Sequence, residues 1–447
     1  MRLRLLLPAV LLGLVAGCDS MLQTEPGDQL PSESAIVDGP TAHSALIGAY
    51  DALQDLSYYG NDFVVLGDLS ADNADHVGTY QFLGDVDRNQ IRPDNSAITG
   101  VWQAIYAAIA RDNAIIQKVP DLTNVDETER NEILGEAYFL RALSYHDLVK
   151  LWGDVPMPLQ PAASPEEAAA YTRTPSAQVY DQILSDLNQA GSLITEETQT
   201  RQASLGAVRA LRARVDLYRQ DWAGAVANAD SVYAMGYTLA PSYASLFTAE
   251  GTDTPEDIFR ISFTAVEYNE VGYYYLWDGR NEVDPTEDLF DAYEAGDARR
   301  AWSVREDDGY FEGTKFPTTV GSEDLHVIRL AEVILIKAEA LAQLGQTSQL
   351  EDAVDEYNKL RVRAGLEPHV FGVDVTNKSQ VLAAIAQERR VELAFEGDRW
   401  PDLVRTGNAV SVLGIPPERA YQTLYPIPAR ELTVAPGLTQ NPGYPGS

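Results

Sequence analysis

Residues 388–407 read ERRVELAFEGDRWPDLVRTG. Leu382, Ile385, Ala386 and Leu393 fall at helical spacing around its start, which predicts an amphipathic helix up to about Phe395. Glu388, Glu392 and Glu396 lie four apart and form one acidic stripe. Left unneutralised, such a stripe weakens a helix by about 0.2–0.5 kcal/mol per pair. Five arginines are close in sequence, Arg361, Arg389, Arg390, Arg399 and Arg405, and a guanidinium suits bidentate pairing with a carboxylate. The expectation is a structural ion-pair network joining Glu388, Glu392 and Glu396 to arginines, with Arg399 and Arg405 as leading partners. Gly397 marks the helix end and Pro401 blocks its continuation. A catalytic role for these carboxylates needs a raised pKa, which the surplus of arginine opposes.

The same stretch, written ER-x-x-E-x-x-x-EG-x-RW-x-DL-x-RTG, resembles the C-terminal signature of the SusD/RagB family of surface nutrient-binding lipoproteins. Gly135-Glu136-Ala137-Tyr138-Phe139-Leu140-Arg141-Ala142, then Tyr145, then Leu151-Trp152-Gly153-Asp154-Val155-Pro156, is similar to the family's second helix and its exit. Residues 334–345, containing IKAEALAQLG, and residues 357–366, YNKLRVRAGL, look like its last helical repeat. Pro426-Ile427-Pro428 and Gln440-Asn441-Pro442-Gly443-Tyr444 match its tail. Trp152 stands where the family usually has Phe, and Pro401 where an aromatic commonly follows the RW pair. The resemblance implies a mainly α fold, about four tetratricopeptide-like helix pairs forming a superhelical scaffold beside a loop-rich subdomain with short strands. It also implies a cell-surface protein that captures an oligosaccharide and passes it, as a lid, to a SusC-like TonB-dependent transporter.

At 447 residues with 45% apolar content the chain can bury a substantial core. Arg2 and Arg4 precede an apolar run from Leu5 to Val15, and Ala16-Gly17-Cys18 follows. Residues 1–17 therefore read as a lipoprotein signal peptide, and Cys18, the one cysteine, as the lipidation site. Surface display on the outer membrane fits the family, whereas Asp19 after the cysteine also fits retention at an inner membrane. No later stretch approaches the roughly 20 apolar residues of a spanning helix, so the expected association is anchored, not threaded. Without the signal the formal charge is 31 − 67 = −36, which repels nucleic acid and anionic lipid.

Residues 18–34 carry Pro26, Gly27 and Pro31 and read as a tether; 35–447 form one domain. Its scaffold is expected at about 40–236 and 325–396, its binding subdomain at about 237–324 and an irregular tail at about 397–447, with seven of the 24 prolines beyond Ile415. Helical signals occur at about 40–56, 98–118, 129–152 and 175–194, the last with Thr174 as N-cap. Two helix–turn–helix pairs look alike: Val208, Leu211, Val215 and Tyr218 precede Trp222, Ala225 and Ala229; Ile334, Ala338 and Leu341 precede Ala353, Val354 and Leu360. Residues 57–97 and 237–325 lack sustained helical periodicity. Asp257 to Thr264 alternates like a strand, and Asp284-Pro285-Thr286-Glu287 reads as a helix start with Asp as cap.

Between Phe259 and Phe316, 13 of 58 residues are aromatic, about 22% against 9% for the whole chain. Flat Trp and Tyr faces suit the apolar C–H faces of sugars and supply contact area at low entropic cost. The candidate ligand residues are Trp277, Tyr275, Trp302 and Tyr310, with Tyr58, Tyr59, Tyr80, Asp72 and Asn73 as a second patch. Packing of a loop-rich core is the competing reading for each. His43, His76, His146, His326 and His369 are scattered without metal-ligand spacing. The nucleophile-elbow and phosphate-loop motifs are absent. Asp72, Asp75 and Glu306-Asp307-Asp308 suit Ca²⁺ in type but lack the spacing of a calcium loop, so no cofactor or metal is expected. Two other function classes stay open: a secreted glycan hydrolase of the same uptake system, and a repeat scaffold binding only protein.

Overall fold

The computed structural model describes residues 35–248 and 252–446; the signal peptide, the tether and Cys18 lie outside the described residues. Helix makes up 54% and strand 7%, so the core forms by helix packing on helix. Four antiparallel pairs stack in order among the described residues: Gly39–Leu53 with Ser96–Lys118, Glu127–Trp152 with Ser176–Leu193, Leu205–Tyr218 with Trp222–Ala234, and Leu330–Leu344 with Thr347–Arg363. Lys378–Glu392 closes the stack against the last pair. No helix among the described residues is long and apolar enough to cross a membrane.

Local chemistry sets these elements. Asn95 caps Ser96–Lys118 through the Ala97 and Ile98 amides, and Val101, Ile105, Ala108 and Ile109 form its buried stripe. The Glu127–Trp152 helix is capped by Asp126 and ends at Gly153, whose φ of 72° places it in the left-handed region. From Ile133 onward nearly all of this helix is buried, because neighbours cover it on several sides. Its buried cation is therefore paired. Arg141 binds Asp186 bidentately at 2.7 and 2.8 Å and also Asn113 at 2.8 Å.

Motif fragments far apart in sequence meet in one buried aromatic cluster. Trp152 packs edge-on against Tyr425 at 5.7 Å, and Trp400 stacks on Tyr425 at 6.3 Å. The Trp152 indole donates to Pro426 O at 2.9 Å, and Asn441 donates to Tyr425 O at 2.7 Å. The tail is thus pegged into the scaffold and not simply laid over it. It also holds a 3₁₀ turn, Pro417–Thr423, and a helix, Ala429–Val434.

Among the described residues, three two-stranded antiparallel sheets build the subdomain. β1 (Ala74–His76) pairs with β3 (Val283–Pro285), β2 (Asp257–Ile261) with β6 (Leu325–Arg329), and β4 (Val304–Asp307) with β5 (Tyr310–Gly313). The β1–β3 pair ties the 57–97 stretch to the second irregular region, so the two are one unit. The 57–97 stretch is less irregular than expected and contains the helices Asp62–Leu69 and Gln81–Asp87. Asp284 lies in β3, and the cap of the following helix Glu287–Ala292 is Thr286, which accepts from Leu289 N. Thr174 bridges Val155 instead of capping; Asp154 supplies the cap by accepting from Ser176 N at 2.7 Å.

The opening stretch folds differently from its expected outline. The helix stops at Glu392, and Phe395 and Gly397 both take left-handed φ, 65° and 83°. Pro401 falls in the first turn of a new helix, Arg399–Arg405, where its missing N–H costs nothing. This reversal decides the ion pairs. Arg399 binds Asp72 (2.6 and 2.8 Å), and Arg405 binds Glu339 (2.7 Å) and Asp402 (2.7 Å). Neither touches the glutamate stripe, which faces the subdomain. Glu388 pairs with Arg299 (2.9 Å) and Arg361 (3.0 Å). Glu392 pairs with Arg329 (2.5 Å), Arg299 (3.1 Å) and Arg363. Glu396 pairs with Arg329 (2.7 Å) and Lys315 (2.5 Å). Burial pushes the Glu396 carboxyl up, but Arg329 and Lys315 outweigh it and hold it at about 2.

Candidate functional site

The aromatic-rich region divides into rings that build a core and rings that face a cavity. Tyr58 and Tyr59 belong to the first group: both are buried, and their hydroxyls donate to Asp147 Oδ2 at 2.7 and 2.8 Å. Lys150 holds the other Asp147 oxygen at 2.8 Å. Tyr275 is also buried, its ring 4.8 Å from Phe395. Asp72 is spent on Arg399. Asn73 is buried, donating to Asp68 at 2.7 Å and accepting from Arg390 at 3.0 Å. These five candidates take structural roles: Tyr58, Tyr59, Tyr275 and Asn73 are buried and present no face to a ligand, and the half-buried Asp72 carboxylate is held by Arg399. Tyr80 is half-buried between Phe82, stacked at 5.1 Å, and the Arg280 guanidinium at 4.3 Å.

Trp277 and Trp302 come together on one concavity of about 800 Å³, with Asp278, Arg305, Glu312 and Thr314 among its other walls. Trp277 follows the short helix Val271–Tyr275 and is clamped against β5: its amide donates to Glu312 Oε1 at 2.7 Å and its indole N–H to Phe311 O at 3.2 Å. Trp302 lies on the one-turn helix Arg300–Ser303 and is 41% exposed. Tyr310 is exposed on the β4–β5 hairpin, outside the cavity wall. The hairpin fixes both walls. Asp308 and Gly309 take φ of 51° and 82°, the pair of left-handed residues that a tight hairpin requires. That turn places Arg305 opposite Glu312, where the two form an ion pair. The Arg305 guanidinium lies 4.8 Å above the Trp277 ring.

Arg305 and Glu312 were not among the sequence-derived candidates. The signal for them was the Asp308-Gly309 dipeptide, which pairs positions 305 and 312 across the turn. Glu306, considered above for calcium, instead orders that turn by accepting from Gly309 N at 2.8 Å. No group of three or more His, Cys, Asp or Glu side chains converges on a metal position among the described residues. Burial pushes the Glu136 and Asp398 carboxyls up to about 7, but neither lines the Trp277–Trp302 cavity.

Two other concavities offer less ring face. One of about 410 Å³ is lined by Trp102, Tyr106, Tyr171 and three prolines, but Trp102 is buried and the Tyr106 hydroxyl is taken by Pro156 O. Another of about 850 Å³ includes Tyr421 and Tyr444, which pack edge-on against each other at 4.8 Å.

Comparison with known proteins joins the two halves of the chain. Residues 35–217 match the family described as "Starch-binding associating with outer membrane", and residues 312–416 match the SusD family. SusD-like proteins P38 and P2 from Formosa agariphila are each 28% identical, over 97% of this chain and 97% and 98% of their own lengths. Among solved structures, a SusD superfamily protein from Bacteroides vulgatus superposes with a TM-score of 0.81 at 22% identity, covering 91% of this chain and 99% of that one. A laminarin-binding SusD-like protein superposes with a TM-score of 0.79 at 25% identity, covering 92% of this chain and all (100%) of that one. Matches along the scaffold and across the ERRVELAFEGDRW stretch, with relatives aligned end to end, place this chain in the SusD/RagB family.

Proposed function

We propose that this protein binds a carbohydrate at the outer-membrane surface, without catalysing its cleavage and without a cofactor, and delivers it to a SusC-like TonB-dependent transporter as a lid. The observation that carries the reading is the pairing of Trp277 and Trp302 on one cavity outside the helix stack. Scaffold helices spend their apolar stripes on each other, whereas loops held by a rigid scaffold are free to present side chains. One structural relative is a laminarin-binding protein, and another is a surface glycan-binding protein from Bacteroides thetaiotaomicron, which agrees with a sugar ligand. The anchor in this reading is Cys18, lipidated after signal cleavage, with residues 18–34 as tether.

Calorimetric titration with a polysaccharide panel tests the site. Removing a stacking ring typically costs on the order of 1–3 kcal/mol, so Trp302→Ala and Trp277→Ala are each expected to weaken binding at least about fivefold. Tyr59→Ala is expected to act through stability, because Tyr59 is buried on Asp147. Folded Trp variants that bind like wild type contradict the assignment. Release of reducing sugar from any panel member favours the hydrolase reading instead.

A further inference from the structure

We propose that the Trp277–Trp302 cavity takes an uncharged saccharide and rejects carboxylated or sulfated ones. The inference rests on the carbohydrate reading above and adds the ligand's charge class.

The charges around the cavity carry it. Asp278, Arg305 and Glu312 line the cavity, and Arg305, its only basic side chain among the described residues, is already paired. It pairs with Glu312 across the hairpin and covers one face of Trp277. Glu312 is itself held by the Trp277 amide. The Arg305 side chain is 57% exposed but its charge is balanced by the buried Glu312 carboxylate, so an anionic sugar gains little net attraction there and competes for the partner of a carboxylate that is costly to leave unpaired. The surroundings are acidic. Residues 277–324 hold 14 acidic and five basic side chains. Arg280 is bound to Glu282, Arg299 to Asp297 and two glutamates, and Lys315 to Glu396. Arg300 is stacked on Phe290 at 5.0 Å. Glu306, Asp307 and Asp308 stand exposed on the adjoining hairpin, so an approaching anion meets a repulsive field. A cationic sugar gains little either. Glu312 is neutralised, and Asp278 is exposed to water, where ion pairs are weak.

Affinity electrophoresis of the mature protein against neutral polysaccharides (laminarin, mannan, xylan), acidic ones (alginate, pectin, carrageenan) and cationic chitosan decides the class. The neutral ligand is then compared with its own carboxymethyl derivative by calorimetry, using Trp277→Ala and Trp302→Ala as site controls and thermal melts as folding controls. The expected result is Trp-dependent binding of a neutral polymer. Carboxymethylation should weaken it at least about tenfold at low salt, and the loss should shrink toward about 1 M salt as the Debye length falls to about 3 Å. Trp-dependent binding of an acidic polymer, or tighter binding of chitosan than of any neutral polymer, overturns the charge assignment and leaves the carbohydrate reading intact. Failure of every polymer to bind overturns the carbohydrate reading, and this inference with it.

Discussion

Arg329 shows how much one side chain does in this fold. Its guanidinium is buried and reaches Glu256 at 2.9 Å, Glu392 at 2.5 Å and Glu396 at 2.7 Å. Removing one member of a buried ion pair costs on the order of 3–5 kcal/mol, mostly from the charge left behind. Arg329→Ala is therefore expected to lower the melting temperature sharply, and Arg399→Ala by less, because Asp72 keeps some access to water and a second cation, Arg390, at 3.3 Å. The acid limb should change too. The folded Glu396 carboxyl titrates at about 2, below its unfolded value of about 4.3. Its contribution is therefore complete above about pH 4.3 and is lost as pH falls through about 2. Arg329→Ala should shift acid unfolding, followed by circular dichroism, to higher pH. Equal melting losses for the two variants, or an unchanged acid limb, contradict this account of the network.

At the scale of elements, the tightest joint is between two glycines. A Cβ on Gly67, in the Asp62–Leu69 helix, would lie 2.3 Å from the Gly397 carbonyl oxygen. Beside it, Asp68 accepts from the Phe395 and Gly397 amides at 3.1 and 3.3 Å. The obstacle is backbone, so it cannot rotate away, and Gly67→Ala is expected to cost several kcal/mol, on the order of an overpacked core substitution or more. Thermal unfolding checks it, and a melting point within a degree of wild type contradicts it. The same joint shows which parts of the fold could be read from sequence. Gly397 was legible as a break in the pattern because left-handed φ is a local property, although the helix itself already stops at Glu392. Its second duty, receiving the Asp62–Leu69 helix, depends on a partner 330 residues away. The paired helices 205–234 and 330–363 were legible from periodicity. The Glu127–Trp152 helix is buried on most sides and shows no stripe, so its motif residues carried more information than its pattern. Arg361 does reach Glu388, but Arg399 and Arg405 were the wrong leading partners for the stripe, because nearness in sequence does not survive the reversal at Phe395–Gly397. Trp277 and Trp302 were legible as types suited to sugars. That Tyr275, two residues from Trp277, faces the core was not, since no regular period governs that loop.

For the whole molecule, the helix stack positions and the loop unit presents. The charge network of Glu388, Glu392 and Glu396 lies where the two meet, tying β6, the Thr347–Arg363 helix and Arg299 of the subdomain to the Lys378–Glu392 helix and the turn after it. That fastening keeps the β4–β5 hairpin and the Trp277 loop in fixed relation, so a ligand there would meet a preformed surface and lose less entropy on binding. The formal net charge of −34 disfavours association of anionic polymers with the surface as a whole. A crystal structure of the protein with an oligosaccharide of whichever polymer binds tests this division of labour. A sugar ring should lie against the face of Trp302 or Trp277, with carbons about 4 Å from the indole and the helix stack unchanged. An oligosaccharide seated instead among Trp102, Tyr106 and Tyr171, or along the scaffold helices, would show that the loop unit is not the binding site.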